Sequence, residues 1–417
     1  MLSTYRKIFD APGSLGFSLT GFVSRMPISM IGIGTVTMIS ALQGDYGLAG
    51  AVSATVALAA AVLGPQVSRL VDRYGQSRIA LPSMAVAAAG LVAVVLCSRF
   101  HAPSWTLFLG AIATGTMPSM GSLVRARWAG IYGGSPLLHT AYALESVVDE
   151  VIFIVGPILA VGLSTSWFPE AGPLAAVVLA CVGVALFSLQ RATEPPVREE
   201  LTRRQHGSSA LRTRGLLVLV LTFVGVGSVF GSVEVTTVAF ADHLHHKALS
   251  SVVLAVYALG SCVAGLVFGT LKLKGPLSRR FLVGIVTLAL SMLPLLFVKN
   301  LVALAVALFI AGLSISPTMV TTMGLVERIV PASKLTEGMT WTTTGLAVGV
   351  AAGSSAAGWV VDGAGAAAGY WVTVTSGLLA VATAFLGARR LRSAPEQQER
   401  AREQQPHQHS HVDQLGG

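Results

Sequence analysis

The sequence predicts an all-α integral membrane protein in which twelve transmembrane helices form two six-helix, pseudo-symmetric bundles. The first observation is composition: of 417 residues, 53% are hydrophobic and 11% are charged, with a mean hydropathy of +0.71. Soluble domains average about 25% charged residues, so this chain cannot cover a water-facing surface of its size. The second observation is that apolar segments of about 20 residues, long enough to cross a bilayer core, recur along the chain. The third is a long polar stretch near its middle.

The apolar segments predict twelve spans, each bounded by charged residues, proline or glycine. They cover residues 14–40, 46–70, 79–98, 104–126, 136–163 and 171–190, and then 215–240, 248–271, 281–298, 301–326, 334–360 and 366–388. The polar stretch 191–214 contains six arginines and predicts a cytoplasmic linker. The domains expected are a first bundle (1–190), this linker (191–214), a second bundle (215–388) and a disordered cytoplasmic tail (389–417).

A weak internal repeat supports the division into two halves. Gly115-x-x-Pro118 in span four has a counterpart in Gly312 and Pro317 of span ten. Matches at equivalent spans favour a duplicated six-helix unit, with the two copies in parallel orientation.

Lysine and arginine predict the orientation. With the N-terminus inside, 24 of the 28 lie in inner loops and tails, and the exceptions are Arg25, Arg99, Lys247 and Lys299. The positive-inside rule then places both termini in the cytoplasm. We expect a multi-pass protein of a prokaryotic cytoplasmic membrane that contacts the lipid bilayer throughout and functions as a monomer.

Several classes of protein are excluded. The three cysteines, Cys97, Cys181 and Cys262, lie in apolar stretches and imply neither a disulfide framework nor a metal site. The sequence contains no glycine-rich phosphate loop, nucleophile elbow or zinc motif. We therefore expect no cofactor, no metal, no enzymatic activity and no nucleic-acid partner.

The most specific motif lies between spans two and three, where residues 68–78 read Ser-Arg-Leu-Val-Asp-Arg-Tyr-Gly-Gln-Ser-Arg. This segment resembles the loop signature of the major facilitator superfamily, Gly-x-x-x-Asp-Arg-x-Gly-Arg-Arg. The matching positions are Asp72, Arg73, Gly75 and, one residue past the basic end of the signature, Arg78, while Ser68 and Gln76 depart from the signature. With twelve spans divided six and six, the resemblance extends over about residues 6–390 and implies a secondary transporter for a small-molecule substrate.

The resemblance also implies a gating role for Asp72, Arg73, Gly75 and Arg78, through contact between their loop and the start of span eleven. A carboxylate is favoured at a helix N-terminus, and Ser333 is the candidate N-cap there. Asp72 is expected to be held by the arginines around it through charge-assisted hydrogen bonds. The alternative is a charged loop that only sets membrane topology.

A second motif lies in span five, where Gly156-Pro157 is similar to the core of a motif of drug/proton antiporters of the same superfamily. The match is partial, because that motif has glycine where this chain has Ala143, Ile152, Ala160 and Val161.

Ionisable residues inside a membrane are candidates for function by default. Arg25 in span one, and Glu145, Asp149 and Glu150 in span five, are expected at matching depth, with Arg25 as the only deep cation. We predict a proton-coupling site in which Asp149 pairs with Arg25, Glu150 takes up and releases the proton, and Glu145 can replace either. The alternative is a static ion pair with a third acid in a water cavity. Glu234 and Glu337 are expected near the membrane interface.

Methionine and aromatic side chains on spans one, four, five, ten and eleven are candidates for substrate binding, since flexible thioethers suit varied apolar ligands. They are Met26, Met30, Met117, Met120, Tyr142, Met319, Met323 and Trp341. The alternative for each is ordinary helix packing.

Together these features favour a secondary active transporter that works by alternating access and exports a small amphipathic compound in exchange for protons. A proton-coupled importer of a small anionic metabolite, with Arg25 holding its carboxylate, is one alternative. A membrane sensor or scaffold that transports nothing is another.

Overall fold

The computed structural model describes residues 2–197, 209–213, 215–246, 249–271, 273 and 275–391. These residues fold into helices joined by short connections, beginning with α1 (Leu2–Ile8). In hydrocarbon every backbone N–H and C=O must be satisfied within its own segment, which a helix achieves. Of the predicted linker (191–214), only residues 191–197 and 209–213 are described. Of the predicted tail (389–417), residues 392–417 lie outside the described residues.

The first half contains six spans, of which the first and fourth are each made of two helices. In order they are α2 (Ser14–Arg25) with α3 (Pro27–Gln43), α4 (Tyr46–Tyr74), α5 (Gln76–Arg99), α6 (Ser104–Thr114) with α7 (Met120–Tyr132), α8 (Pro136–Ser166) and α9 (Ala171–Leu189).

The second half repeats this arrangement, again with an interrupted fourth span. Its helices are α10 (Leu216–His243), α11 (Leu249–Phe268), α12 (Leu277–Ser291, followed by a 3-10 turn at Leu293–Phe297), α13 (Leu301–Gly312) with α14 (Ile315–Ile329), α15 (Leu335–Ala364) and α16 (Gly369–Leu386). Eleven described segments are long and apolar enough to cross a membrane. Span four is not among them, because the five residues 115–119 separate its two short helices. The twelve-span, two-bundle prediction is confirmed.

The breaks in the spans occur beside proline, which lacks a backbone donor and clashes with the preceding helical turn. Span one breaks at Met26, before Pro27. Span four breaks over residues 115–119, which include Pro118, and span ten breaks at residues 313–314, just before Pro317. The breaks of spans four and ten lie at the Gly-Pro motifs that suggested duplication.

The two halves meet through hydrogen bonds that concentrate at one end of the bundle. We call this end the basic side; it carries α1, the α4–α5 turn and the described ends of the linker. At this end the pairs that bond across the halves include Tyr5 with Gly265 and Leu266, Ser68 with Thr340, Arg69 with Glu337, Asp72 with Thr336 and Glu337, Ser122 with Thr340, His139 with Phe268, and Thr140 with Gly269.

Helices α10 and α15 pack at backbone contact through reciprocal glycines. Glycines four residues apart on each helix face the backbone of the other, which is the small-residue packing typical of membrane helices. A Cβ added to Gly227 would lie 2.0 Å from the Leu346 carbonyl oxygen, and one added to Gly231 would lie 2.1 Å from the Val350 carbonyl oxygen. On the facing helix, a Cβ at Gly349 would lie 2.0 Å from the Val224 carbonyl oxygen, and one at Gly353 would lie 2.1 Å from the Ser228 carbonyl oxygen.

We predict that Gly349→Val lowers the stability of the folded protein by about 2–3 kcal/mol, because the added side chain forces the two backbones apart. The measurement is thermal unfolding of purified protein in detergent. Gly358→Val is the matched control on the same helix, since a Cβ at Gly358 meets nothing within 4 Å. Equal melting temperatures for the two variants would contradict the packing argument.

Candidate functional site

Arg25 lies at the centre of the first half and pairs with two carboxylates of α8. Its side chain is 4% exposed; Nη2 lies 2.5 Å from Glu145 Oε2, and Nη1 lies 2.9 Å from Asp149 Oδ1. The two acids are four residues apart and so share a helix face. Arg25 ends α2, where the free carbonyls of the last turn favour a cation, and its Nε donates to the Gly21 carbonyl.

A second arginine joins this site, so the expectation that Arg25 is the only deep cation is wrong. Arg125 on α7 is 6% exposed, and its Nη2 lies 2.5 Å from Asp149 Oδ2. The sequence argument ended span four at residue 126, whereas α7 continues to Tyr132. Arg125 is therefore about 10 Å inside the helix end. Asp149 bridges two guanidinium groups.

Glu145 and Asp149 differ in their access to water. Glu145 is fully buried, and its second oxygen accepts a hydrogen bond of 2.7 Å from Trp128 Nε1. The Trp128 ring is held in turn against Phe17, with ring centroids 4.6 Å apart. The side chain of Asp149 is 33% exposed. Glu145 is thus enclosed by protein, while Asp149 is partly open to its surroundings.

Glu150 points away from the arginines and towards the second half. Its Oε1 accepts a hydrogen bond of 2.6 Å from Ser261 Oγ of α11. Ser261 Oγ is also 2.9 Å from Ser316 Oγ of α14. Among the ion pairs of the described residues, none involves Glu150. Span five therefore carries two acids that arginines neutralise and one acid at the boundary between the halves.

Asp72 caps a helix of the opposite half. Its Oδ1 accepts from the backbone N–H of Thr336 at 3.2 Å, and its Oδ2 accepts from that of Glu337 at 2.8 Å. These N–H groups belong to the first turn of α15, and the side chain of its N-cap residue, Lys334, makes no capping hydrogen bond to them. The expected N-cap role of Ser333 is wrong, since Asp72 satisfies the orphan donors instead. Among the described ion pairs, none joins Asp72 to the arginines that were expected to hold it.

The other residues of the loop motif lie around this contact. Gly75 has a positive φ of 98° and forms the turn between α4 and α5. Glu194, from the start of the linker, accepts a 3.0 Å hydrogen bond from the Ser77 backbone N–H at the opening of α5. Arg73 and Arg78 are exposed, and the Arg73 guanidinium lies 5.0 Å from the Tyr74 ring centroid.

Glu337 belongs to the same junction, where protein groups rather than lipid headgroups or water surround it. It is 1% exposed, and its Oε1 lies 3.0 Å from Arg69 Nη2 of the first half. The same oxygen accepts from Ser209 Oγ at 2.6 Å, from the Ala210 backbone N–H at 3.1 Å and from Trp341 Nε1 at 3.3 Å. The position of Glu337 along its own helix does not show that Arg69 and the described end of the linker cover that helix end. Glu234 is exposed on α10.

The predicted substrate-binding residues divide by burial. Met26 and Met30 are packed inside the first half against Leu91 and Ile152. Buried positions are also occupied by Met120, Tyr142 and Met323, whereas Met117, Met319 and Trp341 are only partly buried. Their assignment to substrate binding stays a prediction.

The fold and these sites define a class. Interrupted helices and buried charges at the centre of two parallel six-helix repeats are features of secondary transporters. A family model described as Major Facilitator Superfamily matches residues 17–298 and 240–413. The chain belongs to the major facilitator superfamily and is a multi-pass membrane transporter.

Solved structures agree with this assignment. The human organic anion transporter MFSD10 (TETRAN) is 17% identical with a TM-score of 0.63, covering 90% of this chain and 97% of that one. A bacterial homologue of the iron transporter ferroportin, in an outward-facing state, is 13% identical with a TM-score of 0.69, covering 90% and 99%. FucP in the outward conformation is 11% identical with a TM-score of 0.65, covering 89% and 98%. At these identities the similarity shows the fold alone. No curated protein matches the chain significantly.

We predict that Asp72→Asn opens the basic side while the protein remains folded. The substitution removes the charge at the start of α15, an effect of about 1–2 kcal/mol at a favourable helix N-terminus. A cysteine at Ser68, which is buried and bonded to Thr340 at 2.8 Å, should then react with a water-soluble maleimide roughly fivefold to thirtyfold faster. The background has the three native cysteines replaced by alanine.

Asp45→Asn is the matched control for this labelling. Asp45 also caps a helix, accepting from the Leu48 backbone N–H at 2.8 Å, but within its own half. Its substitution should leave labelling at position 68 unchanged. If Asp72→Asn labels at the wild-type rate, the contact with α15 does not hold the halves together.

Proposed function

We propose that this transporter works by alternating access and exports a small amphipathic compound in exchange for protons. The observation that carries the proposal is the placement of the acids of α8. Glu145 and Asp149 are neutralised by Arg25 and Arg125, while Glu150 lies unpaired by any described cation at the boundary of the two halves. A proton-coupled carrier requires such a carboxyl, able to load on one side and unload on the other.

The proposed roles follow from these contacts. Asp149 is the partner of Arg25 and, being partly exposed, connects the site to water. Glu150 carries the proton, because its bond to Ser261 crosses the surface along which the halves must move. Glu145 holds Arg25 in position, since Trp128 and Arg25 occupy both of its oxygens.

The loop motif supplies the proposed gate. With the basic side in the cytoplasm, as the positive-inside rule favours, the contacts of Asp72 with α15 and of Arg69 with Glu337 close the cytoplasmic end. The present arrangement is then the outward-facing state. Arg73, Gly75 and Arg78 shape the turn beside this gate.

The remaining parts of the proposal concern setting and substrate. The protein spans a prokaryotic cytoplasmic membrane with both termini in the cytoplasm and works as a monomer. Partly exposed Met117, Met319 and Trp341 contact the substrate directly, and the five more deeply buried candidates support them. Import of an anionic metabolite on Arg25 is less favoured, because its Nη1 and Nη2 already bind carboxylates.

Export and import predict opposite effects of expression on cell content. We expect cells that express the protein to hold less of one or more amphipathic dyes than cells that express an Asp72→Asn variant at the same level. The measurement is dye fluorescence together with extracted metabolites. A raised content of an anionic metabolite would support the importer, and an unchanged panel would support a sensor or scaffold.

Proton coupling is tested in proteoliposomes with the compound that the panel identifies. We predict that Glu150→Gln and Asp149→Asn each reduce substrate-driven proton flux at least about tenfold. A neutral side chain at position 150 cannot bind and release the proton, and one at position 149 leaves the buried Arg25 and Arg125 without their shared carboxylate. Glu170→Gln is the control; Glu170 pairs with Arg99 at 3.2 Å, away from the site. Wild-type flux and pH dependence in the variants of Glu145, Asp149 and Glu150 alike would place the coupling site elsewhere.

A further inference from the structure

Glu150 has neighbours in the second half that the transport proposal does not use. Tyr257 lies one helical turn before Ser261 on α11, so both side chains share the face that meets Glu150. The Tyr257 hydroxyl is buried and has no hydrogen-bond partner among the described residues. It lies close enough to the Glu150 carboxylate to interact with it electrostatically. A buried hydroxyl without a partner is destabilising, and one that lies near a carboxylate marks a place where a further group can bind.

An aromatic wall completes this place. The ring of Phe230 on α10 packs edge-on against Tyr257, with centroids 6.5 Å apart and planes at 80°. Aromatic faces attract cations, most strongly where water is excluded. Carboxylate, hydroxyl and two rings are the groups that recognise an organic cation with apolar substituents.

The charges at the centre of the protein have the matching sign. Arg25 and Arg125 balance Glu145 and Asp149 in direct ion pairs. Ionised Glu150 therefore leaves one net negative charge at the boundary of the halves. An anionic compound would be repelled there, and a cationic compound would complete the neutralisation.

A second acid lies on the approach to this place. Glu234 is exposed on α10, one turn beyond Phe230 and on the same helix face. Since α10 starts at the basic side, Glu234 lies about 6 Å farther towards the opposite side. A cation that leaves Glu150 away from the basic side would move in the direction of this carboxylate.

We infer that Glu150, Tyr257, Phe230 and Ser261 form a binding site for an amphipathic organic cation, with Glu234 at its outer opening. The inference rests on the proposed function and names the substrate class of that transporter. The cation and the proton bind the same carboxylate, so that one displaces the other, which is the requirement for their exchange.

The test is equilibrium binding of radiolabelled tetraphenylphosphonium to purified protein in lipid nanodiscs. Tetraphenylborate, of the same shape and opposite charge, is the matched probe. Wild type should bind the phosphonium saturably and at least about tenfold more tightly than the borate, because only the cation interacts favourably with a carboxylate and ring faces.

Variants then locate the site. Glu150→Gln should weaken phosphonium binding at least about tenfold, because the negative charge is lost. Tyr257→Phe should weaken it roughly threefold to tenfold, because the free hydroxyl is lost. Tyr257→Phe removes one atom that has no described partner, so it keeps the test decisive if Glu150→Gln fails to fold. Asp362→Asn and Tyr74→Phe, at exposed positions, are the controls and should bind as wild type.

Three results would overturn the inference: no saturable phosphonium binding to wild type, equal binding of the borate, or wild-type affinity in either Tyr257→Phe or a folded Glu150→Gln. Binding needs no gradient, so the result is separable from coupling. Selective phosphonium binding that depends on Glu150 and Tyr257, in a protein without proton flux, would support the cation site and contradict the proposed antiport.

Discussion

The bridge from Asp149 to Arg25 and Arg125 is the interaction on which the first half depends. Its two guanidinium groups are buried, whereas the Asp149 side chain is 33% exposed. Without Asp149 the two buried cations would lose a shared partner, and a buried charge left without compensation is strongly destabilising. The bridge joins the C-terminal end of α2 to the middle of α7 and of α8, and Glu145 extends it to Trp128. These helices must keep their relative positions for the charges to remain neutralised, so the first half is expected to move as a unit.

The junction with the second half is built differently. Asp72 binds backbone N–H groups at the start of α15, and Glu337 collects donors from Arg69, Ser209 and Ala210. These bonds lie at one end of the bundle, where water can replace them when the halves separate. Two bundles joined by replaceable polar contacts have the arrangement that the proposed alternating access requires. Glu150 lies where the two parts of this design meet, since it follows Asp149 on α8 and bonds to Ser261.

The amino-acid sequence predicts this structure best where the signal is local. Hydropathy predicted twelve spans, since crossing a bilayer is a property of each segment by itself. The loop motif correctly directed Asp72 to the start of span eleven. Local sequence patterns did not predict the burial of Arg125 and Glu337, which depends on where α7 ends and on what covers the start of α15. No local pattern contains that information, because depth along one helix does not reveal neighbouring helices.

The sequence by itself therefore determined the membrane class, the division into two sets of six spans, and the presence of acids in span five. Only the tertiary structure decided which acid meets which partner: Asp149 with two arginines, Glu145 with Trp128, and Glu150 with Ser261, more than a hundred residues away. The physical reason is that hydrophobicity acts through each segment's own composition. A buried charge is instead stabilised by groups brought within about 3 Å by the packing of distant helices.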